Sequence, residues 1–184
     1  MAFNVSEFAS SGLPLGGARP SLFSVIIDTP SGVPNIGARV SFTCKAAQIP
    51  ESSISVIEAS YFGRKIKLAG TRTFANWTPT ILNDEDFQVR HALEVWSNAI
   101  NRHQANLRET QLTTTQSYRT TATVTQYNKV GVPIRSYEFV NLFPTNLQAI
   151  DVNWDTDAIE EFTCEFAYDY WRVAAPTITG TLVI

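Results

Sequence analysis

The chain has 184 residues, 14 Lys and Arg against 17 Asp and Glu, and a formal net charge of −3. Hydrophobic residues make up 44% and charged residues 17%, which excludes a disordered, self-solvating chain and suits one domain with a single core. The same balance excludes a surface that works by neutralising phosphates, and no apolar run reaches the roughly 20 residues of a membrane span.

Threonine, valine and isoleucine number 20, 14 and 14, and β-branched residues on that scale favour pleated surfaces over helices. Residues 1–20 carry Ser10-Ser11-Gly12, Pro14 and Gly16-Gly17 and read as a flexible arm, without the charged and apolar regions of a secretory leader. The expectation is a soluble domain made and kept inside a cell. Segment 21–28 reads as a strand, 29–37 with two Pro and two Gly as a turn, and 38–47 as the returning strand of a long hairpin. Further strands are predicted over 53–62, 64–69 and 72–82.

One helix is predicted, at about 84–103. On a 3.6-residue period Val89, Ala92, Leu93, Trp96 and Ile100 share one side, while Arg90, Glu94 and Asn98 face away. Asn83 suits the N-cap, and Asp84, Glu85 and Asp86 complement the positive end of the helix dipole. Capping explains these acids better than a metal cluster does, because adjacent helical side chains diverge. After a polar stretch, 104–116, segment 117–127 turns at Lys129-Val130-Gly131 into 133–142. Phe143-Pro144-Thr145-Asn146 then reads as a break. Segments 147–154 and 159–171 form a final pair around Asp155-Thr156-Asp157. The tail, 176–184, could stay loose or pair with an exposed edge. The fold expected is mainly β, an antiparallel two-sheet barrel or sandwich with one flanking helix, its single domain at 21–175.

Little in the chain points to catalysis. Cys44 and Cys164 stand far apart with no second Cys or His at ligand spacing, so they read as reduced thiols. His91 and His103 fall in the helical segment without further ligands nearby, and phosphate-loop, dinucleotide and nucleophile-elbow patterns are absent. No cofactor or metal is expected. The sharpest pattern is at 161–170. Phe162, Cys164, Phe166, Tyr168 and Tyr170 alternate with Glu161, Thr163, Glu165, Ala167 and Asp169, one set for the core and one for water. That water is bulk solvent or an internal channel, and the alternation fits both. A carboxylate pair such as Glu161 and Glu165 would share a face, as a hydrolase requires, but the alternation already explains them.

Several local strings carry a family resemblance. They are Ala18-Arg19-Pro20-Ser21-Leu22-Phe23, Phe42-Thr43-Cys44-Lys45-Ala46 and the run from Gly63-Arg64-Lys65-Ile66-Lys67-Leu68 through Ala69-Gly70-Thr71-Arg72-Thr73-Phe74. Trp77, Asn83-Asp84-Glu85, Phe143-Pro144-Thr145-Asn146, Trp154-Asp155 and Asp169-Tyr170-Trp171 follow in the same order. Over 18–171 the chain resembles the major tail tube proteins of contractile-tailed, myovirus-type bacteriophages. The resemblance implies a two-sheet β fold with a flanking helix and six-membered rings that stack into a hollow tube. It also implies a surrounding contractile sheath, with baseplate and tail-terminator proteins as further partners. The finished tube, part of the virion but assembled in the host cytoplasm, would cross the host envelope and conduct double-stranded DNA without binding it specifically. Tube subunits of type VI secretion and related injection machines share the fold, and a baseplate or tube-terminating paralogue is a further alternative.

Two sets of residues are candidates for that function. A weakly acidic lumen would let a polyanion pass, and Glu161, Thr163, Glu165 and Asp169 are the candidates to line it. Between residues 39 and 72 stand six basic residues (Arg39, Lys45, Arg64, Lys65, Lys67, Arg72) against Glu51 and Glu58; between 151 and 170 stand seven acids and no Lys or Arg. This separation fits two solvated faces of a monomer, or head-to-tail stacking in which basic groups of one ring meet acids of the next. Arg64, Lys65, Lys67, Arg72, Asp155 and Asp157 are the stacking candidates.

Overall fold

The computed structural model describes residues 4–174. The tail expected at 176–184 lies outside the described residues. The chain begins with a helical stretch, α1 (Val5–Glu7), which widens into a π-turn over Phe8–Gly12; every residue of it is exposed. Strand β1 (Phe23–Ile27) is followed by helix α2 (Gly37–Thr43) and strand β2 (Cys44–Ala46). Strands β3 (Ser53–Tyr61) and β4 (Arg64–Thr73) pair with each other, and β5 (Thr80–Leu82) precedes helix α3 (Gln88–Ile100). Strands β6 (Thr120–Tyr127), β7 (Pro133–Leu147), β8 (Glu161–Ala167) and β9 (Tyr170–Ala174) complete the chain.

The fold is mainly β and antiparallel, as expected. Its principal sheet has seven strands in the order β1-β6-β7-β8-β5-β2, with β9 also on β7. The 15-residue β7 is the spine: one side pairs with β6, while the other meets β9 at Ser136–Val140 and β8 at Phe143–Leu147. Register shifts at Thr120/Thr121, Gln126/Tyr127 and Pro144/Asn146 place bulges along this spine. Bulges bend strands and increase their twist, so the sheet curls into a half-barrel. Its concave side holds Val25, Ile27, Trp77, Ile81, Phe139, Leu142, Phe162, Cys164 and Phe166, closed by Val89, Ala92, Leu93 and Trp96 of α3.

Six expectations are corrected. Segment 38–47 does not return as a strand beside 21–28: it is helical up to Thr43, and only Cys44–Ala46 is strand, paired with β5. Period two would bury Phe42 beside Val40, yet Phe42 is 88% exposed, and burial instead falls on Ile36, Gly37 and Val40 at helical spacing. The Asn35 side chain accepts from the Gly37 amide at 3.0 Å and starts that helix, so the predicted single helix becomes two flanking ones. The longer helix begins at Gln88 rather than 84. Asp84–Asp86 form a preceding turn, Phe87 occupies the cap position at φ 53°, and the Asn83 amide group donates to Glu160 Oε2 at 2.9 Å. The acids find a cation there: Arg39 from α2 bonds Asp84 at 3.0 Å and also pairs with Asp86. Phe143-Pro144-Thr145-Asn146 does not break the sheet, because the proline sits at a bulge where a missing N–H is tolerated. Segment 147–154 is loop beyond Leu147, and 72–82 divides into the end of β4 and the short β5.

Candidate assembly interface

The alternation at 161–167 holds in the structure. Phe162, Cys164 and Phe166 are buried, and Glu161, Thr163 and Glu165 turn outward. Glu161 forms an ion pair with Lys45 of β2, and Glu165 accepts from the Asn76 amide at 2.7 Å. Thr163 is half-buried and its hydroxyl has no partner. Asp169 leaves the strand at the β8–β9 joint, where Arg119 (3.1 Å) and Asn141 (2.7 Å) hold it. Two of the three acids on this surface are therefore balanced by a cation of the same chain. Both cysteines are free thiols, and burial pushes Cys44 up to about 11 and Cys164 up to about 12.

The β3–β4 hairpin stands apart from the main sheet as a separate two-stranded ribbon. Its turn, Phe62-Gly63, has φ 44° and 79°, the doubly left-handed geometry that matches the right-handed strand twist. Cross-strand partners share a face. Ile57 with Leu68, Ala59 with Ile66, and Tyr61 with Arg64 form one face; Val56 with Ala69, Glu58 with Lys67, and Ser60 with Lys65 form the other. The ribbon is thus apolar on one side and charged on the other. Neither side is covered: all nine residues of β3 and nine of the ten in β4 are exposed.

Three contacts hold the hairpin's base. The Trp77 indole donates to Gln48 O at 3.1 Å, the Trp171 indole donates to Glu51 O at 3.1 Å, and Phe74 packs on Tyr168. A register shift between Ile54 and Val56 lies above the base, where a Cβ on Gly70 would collide with Ser55 Oγ.

The structure brings Arg64, Lys65, Lys67 and Arg72 together on this one projection. Lys65 bonds Glu58 at 2.7 Å, and Arg72 donates to Ser52 Oγ at 3.1 Å. Among the described residues Arg64 and Lys67 form no ion pair. Asp155 and Asp157 lie elsewhere, in the loop between β7 and β8, together with Asp151 and Glu160. No cation of the described residues pairs with Asp151, Asp155 or Asp157, and Trp154 beside them is fully exposed. Sequence reasoning missed Phe62, which it placed inside a strand. A two-residue turn between strands usually shows Asn or Asp before the glycine, and Phe-Gly carries no such signal.

Comparison with known proteins agrees with this architecture. The tail tube protein gp19 of Enterobacteria phage T4 is 33% identical over 157 residues, covering 84% of this chain and 91% of that protein. The gp19 tail tube protein of Enterobacteria phage T6 matches to the same extent. Among solved structures, a chain in the sheath/tube terminator of the extracellular contractile injection system PVC superposes with a TM-score of 0.64 at 17% identity, over 86% of this chain and 97% of that one. A chain in the PVC sheath–tube complex superposes with a TM-score of 0.57 at 16% identity, over 95% and 99%. These two show the shared fold. The profile of the phage tail tube protein family matches residues 18–174, and the chain belongs to that family.

Proposed function

We propose that this protein is the structural subunit of a contractile phage tail tube. Six copies close a ring, and rings stack into a hollow tube inside the sheath, through which double-stranded DNA passes. Sheath, baseplate and tail-terminator proteins are its partners, and its place is the virion, after assembly in the host cytoplasm. The observation that carries the reading is the ribbon of β3 and β4, exposed on both faces in a chain 33% identical to the T4 tail tube protein. A ribbon whose apolar face is uncovered in water is an interaction surface still lacking its partner. The ends of the main sheet path, β1 and β2, offer further strands for lateral neighbours.

The role is structural, with no catalytic step. Among the described residues no group of three or more His, Cys, Asp and Glu could hold a metal. Glu161, Thr163 and Glu165 of β8, with Asp169 next to it, are the candidate lumen surface. With Lys45 and Arg119 interspersed, that wall would be near neutral rather than strongly acidic. Neither sign of charge then dominates a passing polyanion. Arg64, Lys65, Lys67 and Arg72 would meet Asp155 and Asp157 of the next ring, a heterologous contact that propagates.

Electron microscopy of the purified protein over a range of concentrations tests the proposal. Six-fold rings or tubes are expected, and a protein that stays monomeric by light scattering at every concentration overturns it. A second reading, a tube subunit of another contractile injection machine, is favoured by the superposition on PVC chains. Neighbouring genes separate the two: capsid and portal genes for a phage, secretion or toxin genes otherwise.

A further inference from the structure

We propose that the aromatic tip of the hairpin anchors the contact between rings, Phe62 and Tyr61 of one copy seating in the hollow formed by the 149–161 loop of a second copy. The inference rests on the tube reading and assigns its stacking contact to particular side chains. Phe62 is held at φ 44°, where a bulky side chain is disfavoured and asparagine is the usual choice. The residue is 90% exposed, and its ring touches Tyr61 edge-on with centroids 4.5 Å apart. Within its own chain, then, a strained backbone presents a large apolar group to water with nothing to cover it. Strain of this kind persists where a function uses it, and buried aromatic anchors dominate the energetics of protein interfaces.

Charge selects the receptor. Tyr61 shares its face with Arg64, and Lys65 and Lys67 flank the tip on the other face. The loop over 149–161 encloses a hollow of about 630 Å³ whose walls include Ile150, Val152, Trp154 and Ile159. The loop carries Asp151, Asp155, Asp157 and Glu160 and no basic residue; Glu161 at the head of β8 also lines the hollow but is paired with Lys45. Exposed apolar side chains, Val152, Trp154 and Ile159, interleaved with acids complement an aromatic tip with a basic collar. A second hollow, between the N-terminal segment and the β6–β7 turn, is lined by Leu13, Leu15 and Val130 but also by Arg19 and Lys129, and would repel that collar.

Phe62→Asn separates the turn from the contact, because asparagine suits the left-handed position. The variant is expected to melt no lower than wild type and to form rings, while the critical concentration for tube elongation rises at least tenfold. Trp154→Ala is expected to show the same defect, and the double variant to elongate about as poorly as either single one. As a readout independent of elongation rates, Ser60→Cys beside the tip combined with Thr156→Cys in the hollow, both leaving Phe62 and Trp154 in place, should give a ladder of cross-linked chains from tubes under oxidising conditions. Phe62→Asn elongating at the wild-type critical concentration, fully additive defects, or tubes without the ladder would each overturn the inference while leaving the tube reading intact. Wild-type protein that never forms tubes overturns both.

Discussion

Trp77 joins the core to the surface that projects from it. Its ring lies 4.7 Å from that of Phe139 and 5.7 Å from that of Phe166, while its indole N–H holds the Gln48 carbonyl just before the hairpin. Trp77→Ala should destabilise the fold by about 3–5 kcal/mol in urea denaturation, as expected for removing a buried aromatic. Trp77→Phe keeps most of the packing and gives up the bond, so a loss of about 1–2 kcal/mol is expected. The buried thiols add a pH dependence of known sign. Cys164 is held up to about 12 and Cys44 to about 11, from an ordinary value of 9.0, so folding favours their protonated forms. Their contribution is fully present below pH 9 and is lost as pH rises toward the folded values, because only the unfolded chain ionises freely there. Thermal melts should therefore fall between pH 9 and 11 in wild type, and by less in a Cys44→Ala, Cys164→Ala variant.

At the scale of elements, legibility in the sequence followed the regularity of burial. The buried side of α3 and the inward set Phe162, Cys164 and Phe166 were readable because each is half covered, so the period of the element appears as a period of hydrophobicity. Helix α2 was misread because it buries only Gly37 and Val40 within seven residues, too few to outweigh the alternation of Ala38, Val40 and Phe42. The continuity of β7 through Pro144 depends on a bulge, which pairing with β8 determines and local propensity does not. In the hairpin the strands over 53–62 and 64–69 were visible, but sequence could not show that their apolar side faces no core of its own chain. That absence is tertiary information, and it is what marks the candidate interface. Replacing residues 53–73 by a short Gly-Ser link should accordingly leave the main sheet folded, shifting the melting temperature by no more than about 4 °C. Assembly should be abolished. Circular dichroism with sedimentation analysis checks both expectations.

For the whole molecule, the governing quantity is a charge separation inside a chain of net charge −3. The basic residues of the hairpin and Asp151, Asp155 and Asp157 of the β7–β8 loop are exposed, so each pair formed between copies would be worth about 0–1 kcal/mol and be screened by salt. Apolar and strand-edge contacts would supply most of the holding energy, with charge setting orientation and encounter rate. Elongation followed by turbidity should slow several-fold between about 0.05 and 0.5 M salt, where the screening length shortens to a few ångströms. Reversal of Arg64 and Lys65 to Glu should impair stacking more than ring closure, giving isolated rings in electron micrographs. Normal elongation of that variant at low salt would separate the charge pattern from stacking.

The hairpin's one-sided projection also bears on length control. A subunit that carries a protruding tip and its receptor as different surfaces builds a polymer with chemically unlike ends, one bristling with tips and the other with vacant receptors. Growth then has a direction, and a protein that starts or stops it has to recognise a single end. An initiator could imitate the receptor, and a terminator could imitate the tip without offering a receptor of its own.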